Sequence, residues 1–203
     1  MQSYLSSQAN QDLFCLFCLG GKKNGTFLEI GCGHPFVNSN THVLESCFGW
    51  NGISIDIDPQ LTDLHRQVRK STVLCADATT FDYNNLLSNF DRMDYLSIDL
   101  EPASRTLQAL QSLPFHRVTF SVITYEHDLY RFGTTYKTPA VELLQKHGYV
   151  LVCENVKHMN SIFEDWWIHP SQVNEQLTSQ IACKDMEHSM IVRAMMCILL
   201  QRS

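Results

Sequence analysis

The chain has 203 residues, a formal net charge of -6, and 44% hydrophobic against 18% charged residues, the proportions of an ordinary globular protein long enough for one full core. The acidic balance argues against broad electrostatic binding of nucleic acid, which needs a basic face. The first 25 residues lack the basic start and apolar run of a signal peptide, and no stretch reaches the roughly 18 apolar residues of a membrane span, so no membrane association and a cytoplasmic location are expected.

In chain order, strand-like and helix-like pieces alternate. "TFLEIG" (26–31) reads as a strand, and "SNTHVLESCFG" (39–49) has apolar residues at helical spacing with Gly49 to end it. "GISIDID" (52–58) is a strand, and Pro59 opens a helix to about Arg69. "TVLCAD" (72–77) is a strand and "YNNLLSNF" a short helix; "MDYLSIDL" (93–100) is the fourth strand, followed by a helix over about 103–112. "RVTFSVITYEH" (117–127) is a long fifth strand, and "TPAVELLQKHG" (138–148) is a helix bounded by Pro139 and Gly148. "YVLVCEN" (149–155) and "SIFEDWWIH" (161–169), with a short connection, read as an antiparallel pair. Residues 173–200 have mostly helical apolar spacing.

No repeat, low-complexity tract or linker divides the chain. One domain over 1–203 is expected, with a lead-in (1–25), an α/β core (26–170) and a helical extension (171–203). The only CxxC, Cys15 to Cys18, has no second pair of similar spacing to complete a zinc site. The eight cysteines therefore read mostly as small buried hydrophobes in a reducing compartment.

Alternating strands and helices imply a parallel sheet covered on both faces, with its ligand beyond the carboxyl ends of the strands. Those ends are acidic: Glu29 to Gly33, Asp56 to Asp58, Asp77, Asp99 to Glu101, and Glu126 to Asp128. A phosphate site would instead gather glycines, Lys or Arg and free helix amides. No GxxxxGK[ST] is present, and GxGxxG is incomplete because Val37 stands three residues after His34. The acids suit a ligand that donates hydrogen bonds and carries positive charge. S-adenosylmethionine has that chemistry: a sulfonium, an ammonium, ribose hydroxyls, an adenine amine and no phosphate. Gly31 and Gly33 let backbone approach it; Asp56 can accept the ribose hydroxyls, Asp77 the adenine amine, with Ile57 and Ala78 beside these acids, and Glu29 can fix the loop or attract the ammonium. Cys32 and His34 in this loop read more readily as backbone contacts than as metal ligands.

The pieces "SQANQDLF", "NGTFLEIGCGHPFVNSNTHVLE", "GWNGISIDIDP", "MDYLSIDLEPA" and "FSVITYEHD" resemble the FkbM-type family of S-adenosylmethionine-dependent methyltransferases, over about residues 7–170. The resemblance implies a three-layer Rossmann-like methyltransferase fold, a mostly parallel seven-stranded sheet with an antiparallel last strand. It also implies methyl transfer to a hydroxyl oxygen. Carried over, Glu29, Gly31, Cys32 and Gly33 match the cofactor loop, Asp56 the ribose acid and Asp77 the adenine-side acid; Asp99 and Glu101 match the acids after the fourth strand, and Glu126 and His127 the pair ending the fifth. Pro102, Ala103 and Ser104 depart from the family's usual Gly and Ala-Glu, so the acceptor does not carry over.

An alcohol needs its proton taken as the methyl arrives, so a base is expected. His127 is the first choice because an unperturbed His titrates near neutrality; Glu126 could orient it, and Asp99 or Glu101 is the second choice. An alternative has Asp99, Glu101 and His127, with Glu126 and Asp128, hold Mg²⁺ or Mn²⁺. Tyr125, Tyr130, Trp166 and Trp167 are candidate pocket walls, with sheet packing as the competing role for the tryptophans. The expected partner is a small hydroxyl-bearing acceptor such as a sugar, and a homo-oligomer is compatible with this reading. The competing functions are a non-catalytic cofactor-binding module, an RNA methyltransferase and a nicotinamide oxidoreductase.

Overall fold

All seven strands read from the sequence form in a computed structural model, which describes residues 7–201. Residues 1–6 of the lead-in and 202–203 of the extension lie outside the described residues. The core runs α1 (Gln11–Cys18), β1 (Thr26–Ile30), α2 (His42–Phe48), β2 (Asn51–Asp56), α3 (Pro59–Val68), β3 (Thr72–Cys75), α4 (Tyr83–Leu86), β4 (Arg92–Ile98), α5 (Ala103–Ser112) and β5 (Thr119–Glu126). It continues through α6 (Leu129–Phe132), α7 (Lys137–Lys146), β6 (Val150–His158) and β7 (Ser161–Ile168).

Local chemistry sets the element ends. Pro59 occupies the first turn of α3, and the Asp58 carboxylate accepts the free amides of Gln60 and Leu61. β6 and β7 turn through Met159 and Asn160, both left-handed (φ 50° and 65°), the backbone twist a two-residue hairpin requires.

The sheet has the order β3-β2-β1-β4-β5-β7-β6-β8. β1, β2, β3, β4 and β5 pair in parallel, and β7 is antiparallel to both β5 and β6. This is the expected three-layer α/β architecture with two corrections. The sheet has eight strands, because β8 (Cys183–Lys184) adds in parallel beside β6. The antiparallel strand β7 is therefore the last of seven but not of all. The extension is also not uniformly helical: α8 (Glu175–Thr178), a 3-10 turn (Ser179–Ile181) and β8 precede α9 (His188–Leu200). A two-residue strand carries no periodicity to read.

Adjacent residues on β7 face opposite sides, and each fills a different core. Trp166 packs against Phe14 of α1, ring centroids 4.7 Å apart, in the core that also holds Leu44 of α2 and Ile191 of α9, while Trp167 lies in the core that holds Leu28, Leu110 of α5 and Leu144 of α7. Both tryptophans are fully buried and Tyr125 is 1% exposed, so these three are core residues, not pocket walls. Of the eight cysteines, Cys15, Cys18, Cys32 and Cys153 are buried, Cys183 is intermediate, and Cys47, Cys75 and Cys197 are exposed, which corrects the expectation of mostly buried thiols.

Candidate functional site

The chain leaves the edge strand β3 and returns to place β4 beside β1, so the strand order reverses between β1 and β4. A crevice opens at such a point, beyond the carboxyl ends of the strands. Here it is a cavity of about 270 Å³ lined by Gly31, Gly33, Asp56, Ile57, Ala76, Asp77, Ala78, Asp99, Leu100, Glu101 and Arg105. Eight of the residues named from the sequence thus share one cavity. Cys32 is buried outside its lining. His34 is exposed, and its Nδ1 accepts the amides of Phe36 and Val37, so it closes its own turn.

The glycines differ in what they permit. A Cβ on Gly31 (φ +82°) would stand 1.7 Å from the Asp99 carbonyl oxygen, whereas one on Gly33 (φ +55°) would meet nothing within 4 Å. Gly31 lets β1 and β4 close on each other, and Gly33 leaves space open beside the crevice. Asp56 braces this loop, accepting the amides of Gly33 and Asp58 at 2.9 Å each.

Behind the loop, Glu29 is buried and accepts the hydroxyls of Thr41 (2.8 Å) and Ser54 (3.0 Å). Burial raises its carboxyl above the ordinary range, against Arg69 and those hydroxyls. Arg69 follows α3 and donates to the Pro35 carbonyl, Ser39 Oγ, Thr41 Oγ1 and Glu45 Oε1. Asn40 Nδ2 reaches Ser97 Oγ on β4 at 2.9 Å, and His65 Nε2 lies 3.1 Å from the Gly33 carbonyl. The "SNT..LE" stretch is therefore the lattice that fixes the glycine loop. Arg69, His65 and Ser97 escape sequence reading because their partners lie 24 to 57 residues away.

At the far end of the crevice, Asp77 accepts from the Thr79 amide and hydroxyl and from Arg105, 2.8 Å away. These hydrogen bonds hold its carboxyl at about 2. Arg105, unflagged by the sequence reading, stands directly after Pro102, Ala103 and Ser104, where the chain departs from the family pattern.

The other end carries a carboxyl pair. Asp99 and Glu126 hydrogen-bond to each other, and burial raises both, Glu126 far more because the Asp99 charge adds to it. Two carboxyls in contact and out of water hold one proton between them. Glu126 also lines a second cavity, of about 200 Å³, with Gln8, Asp128, Tyr130, His158, Met159, Ser161 and Phe163. Glu101, at the mouth of the first cavity, pairs with Arg131 at 3.0 Å.

His127 belongs to neither cavity. It is fully buried; its Nδ1 accepts the Leu129 amide (3.2 Å) and its Nε2 faces Asp165 Oδ1 (3.3 Å). That carboxylate also receives Lys137 Nζ and the Asn155 amide. Burial works to raise Asp165, but His127, Lys137 and Asn155 together hold it below the ordinary range. The imidazole expected to act as the base is thus buried against Asp165 and lines neither cavity. The same geometry does not support the metal alternative. His127 points to Asp165, Glu101 to Arg131 and Asp99 to Glu126, and no three His, Cys, Asp or Glu side chains among the described residues converge as ligands.

No family model matches the sequence, and no curated protein does. Among solved structures the chain is similar to a SAM dependent methyltransferase from Aquifex aeolicus, at 14% identity over 83% of this chain and 94% of that one, TM-score 0.54. It is similar to an rRNA methylase from Streptococcus thermophilus (9%, 77% and 94%, TM-score 0.52). A third is the N-methyltransferase NodS from Bradyrhizobium japonicum WM9 (15%, 78% and 94%, TM-score 0.50). Likeness at such identities is likeness of fold: the chain has the Rossmann-like methyltransferase fold. Among the described residues no helix is long and apolar enough to cross a membrane.

Proposed function

We propose that this protein is an S-adenosylmethionine-dependent methyltransferase of the FkbM type, acting on a hydroxyl of a small acceptor such as a sugar. The observation that carries the reading is the crevice itself: glycine-opened, lined by Asp56, Asp77 and Asp99, with its one Arg already paired to Asp77. The residues fit the cofactor. The open side of Gly33 would admit its methionine end, Asp56 has lone pairs left for ribose hydroxyls, and Ile57, 56% exposed, offers an apolar face for adenine beside Ala78.

When bound, the cofactor supplies an electrophilic methyl group on a sulfonium. The chain supplies alignment and a place for the proton. Asp99 lines the first cavity and Glu126 the second; Asp99, ionised and held by the Glu126 proton, is the proton acceptor in this reading. Glu126 positions it. The second cavity receives the acceptor; its lining contains no Lys or Arg, which suits a neutral hydroxyl compound and offers nothing to the phosphates of an RNA. His127, Asp165 and Lys137 stiffen the strand end behind the pair.

Isothermal calorimetry with S-adenosylmethionine and its demethylated product tests the cofactor, with Asp56→Ala as control. Micromolar binding, about -8 kcal/mol, and its loss in Asp56→Ala are expected; absence of heat and of thermal shift with both ligands sinks the reading. Methyl transfer to a panel of sugars and alcohols then separates an enzyme from a module that binds without turnover.

A further inference from the structure

Cys153 and Cys183 stand directly opposite each other where β8 joins the sheet edge beside β6. Paired strands run about 4.8 Å apart, within the roughly 4.4–6.8 Å between Cα atoms that a disulfide spans. Both thiols are free. Cys153 is fully buried, its Sγ 3.6 Å from the Ile181 carbonyl, while Cys183 keeps access to solvent. β8 is two residues long and at the edge, so its backbone and the Cys183 side chain can adjust to bring the two sulfurs to the roughly 2.05 Å of a disulfide.

We propose that Cys153 and Cys183 are an oxidative modification site, closing to a reversible disulfide on reaction with a peroxide. The Cys183 thiolate attacks one peroxide oxygen, the O–O bond breaks, and the departing hydroxide takes a proton as water, leaving a sulfenic acid. The Cys153 sulfur then attacks the Cys183 sulfur, and hydroxide leaves with the Cys153 proton as a second water. Two thiols lose two electrons, and one hydrogen peroxide becomes two waters. Cys183 reaches solvent and Cys153 does not, and the neighbouring Cys153 lowers the Cys183 thiol whereas burial raises that of Cys153, which assigns first attack to Cys183.

The bond would staple the extension to the sheet beside existing ties, Lys184 to Glu154 at 3.1 Å and Asn155 to Asp185 at 2.8 Å. Asn155 also donates to the Asp165 carboxylate that faces His127, so oxidation stiffens the strands behind the carboxyl pair. The inference does not depend on the proposed methyl transfer.

The test treats the folded full chain with hydrogen peroxide, blocks remaining thiols with N-ethylmaleimide, and maps the digest by mass spectrometry without reduction. A Cys153–Cys183 peptide two hydrogens lighter than its halves is expected, together with a rise of several degrees in Tm that dithiothreitol reverses. Cys183→Ser, at a position with solvent access, should abolish both. A Cys153 that stays alkylatable while Cys183 is overoxidised, or a cross-link of Cys153 to neighbouring Cys18 instead, overturns the proposal.

Discussion

At the scale of single residues, the two glycines of the β1 loop make opposite demands. Gly31→Ala forces a Cβ into the Asp99 carbonyl and into a left-handed backbone, with no flexible side chain to give way. Loss of several kcal/mol or failure to fold is expected, as for other forced backbone clashes. Gly33→Ala meets open space, so its stability cost is the left-handed strain alone, about 1 kcal/mol. Its Cβ would occupy ligand space, so the folded variant should lose cofactor binding. Urea denaturation beside calorimetry separates the two, and a Gly33→Ala chain that binds normally removes the loop from the cofactor site.

The carboxyl pair gives a second residue-scale prediction. A proton acceptor works only when ionised, and Asp99 is raised chiefly by burial. Activity should therefore fall as pH drops, with an acid limb centred above the ordinary 3.8. The hydrogen bond from Glu126 lowers Asp99. Glu126→Gln keeps a donor and should retain the limb, whereas Glu126→Leu removes it and should move the limb to higher pH. An acid limb that Glu126→Leu leaves in place assigns the base elsewhere.

At the scale of elements, Arg69 ties α3 to the loop and helix that carry "SNT..LE". Its side chain is 1% exposed and its partner Glu45 Oε1 is 3.1 Å away. Glu45 also accepts the Lys70 and Ser71 amides. Arg69→Met leaves Glu45 without its charge partner and takes a donor from Thr41 Oγ1 and the Pro35 carbonyl, and breaking a buried pair on one side costs about 3–5 kcal/mol. Equilibrium denaturation measures that loss; a change under 1 kcal/mol shows the lattice to be dispensable.

The same lattice marks the limit of sequence reading. The seven longer strands announce themselves as apolar runs between turn residues, and acids at their ends are visible because strand ends are. Arg69 is only one more polar residue at a helix end until the fold brings residues 35–45 to it. His127 read as a base because residue type and pH range are local properties. Its burial comes from β7, whose Asp165 and Phe163 close over it, and no local pattern carries that. β8 and α6, two and four residues long, are too short for any period to show.

At the scale of the molecule, β5 and β7 bring raised carboxyls together. Glu126 and Glu164 are register partners. Burial lifts Glu164 to about 8, although Trp166 Nε1 donates to it at 2.7 Å. A carboxyl raised in the folded state binds its proton more tightly there than in the unfolded chain. Its stabilisation is complete below about pH 4.5 and is lost as pH rises through about 8. Asp99 and Glu126 act in the same direction. Asp77 acts in the opposite one: held at about 2, it stabilises above 3.8 and loses that as pH falls toward 2. Stability should thus peak on the acid side of neutrality and decline into the alkaline range, where net negative charge adds repulsion. Glu164→Gln keeps an acceptor for Trp166 and cannot ionise. It should match the parent at pH 5 and exceed it at pH 9, by a few kcal/mol at most, since each pKa unit is worth about 1.4 kcal/mol. Urea midpoints at pH 5, 7 and 9 decide the matter. Parallel curves for parent and variant would mean that Glu164 reaches solvent when it ionises, and that the acid-rich strand ends are looser than their packing implies.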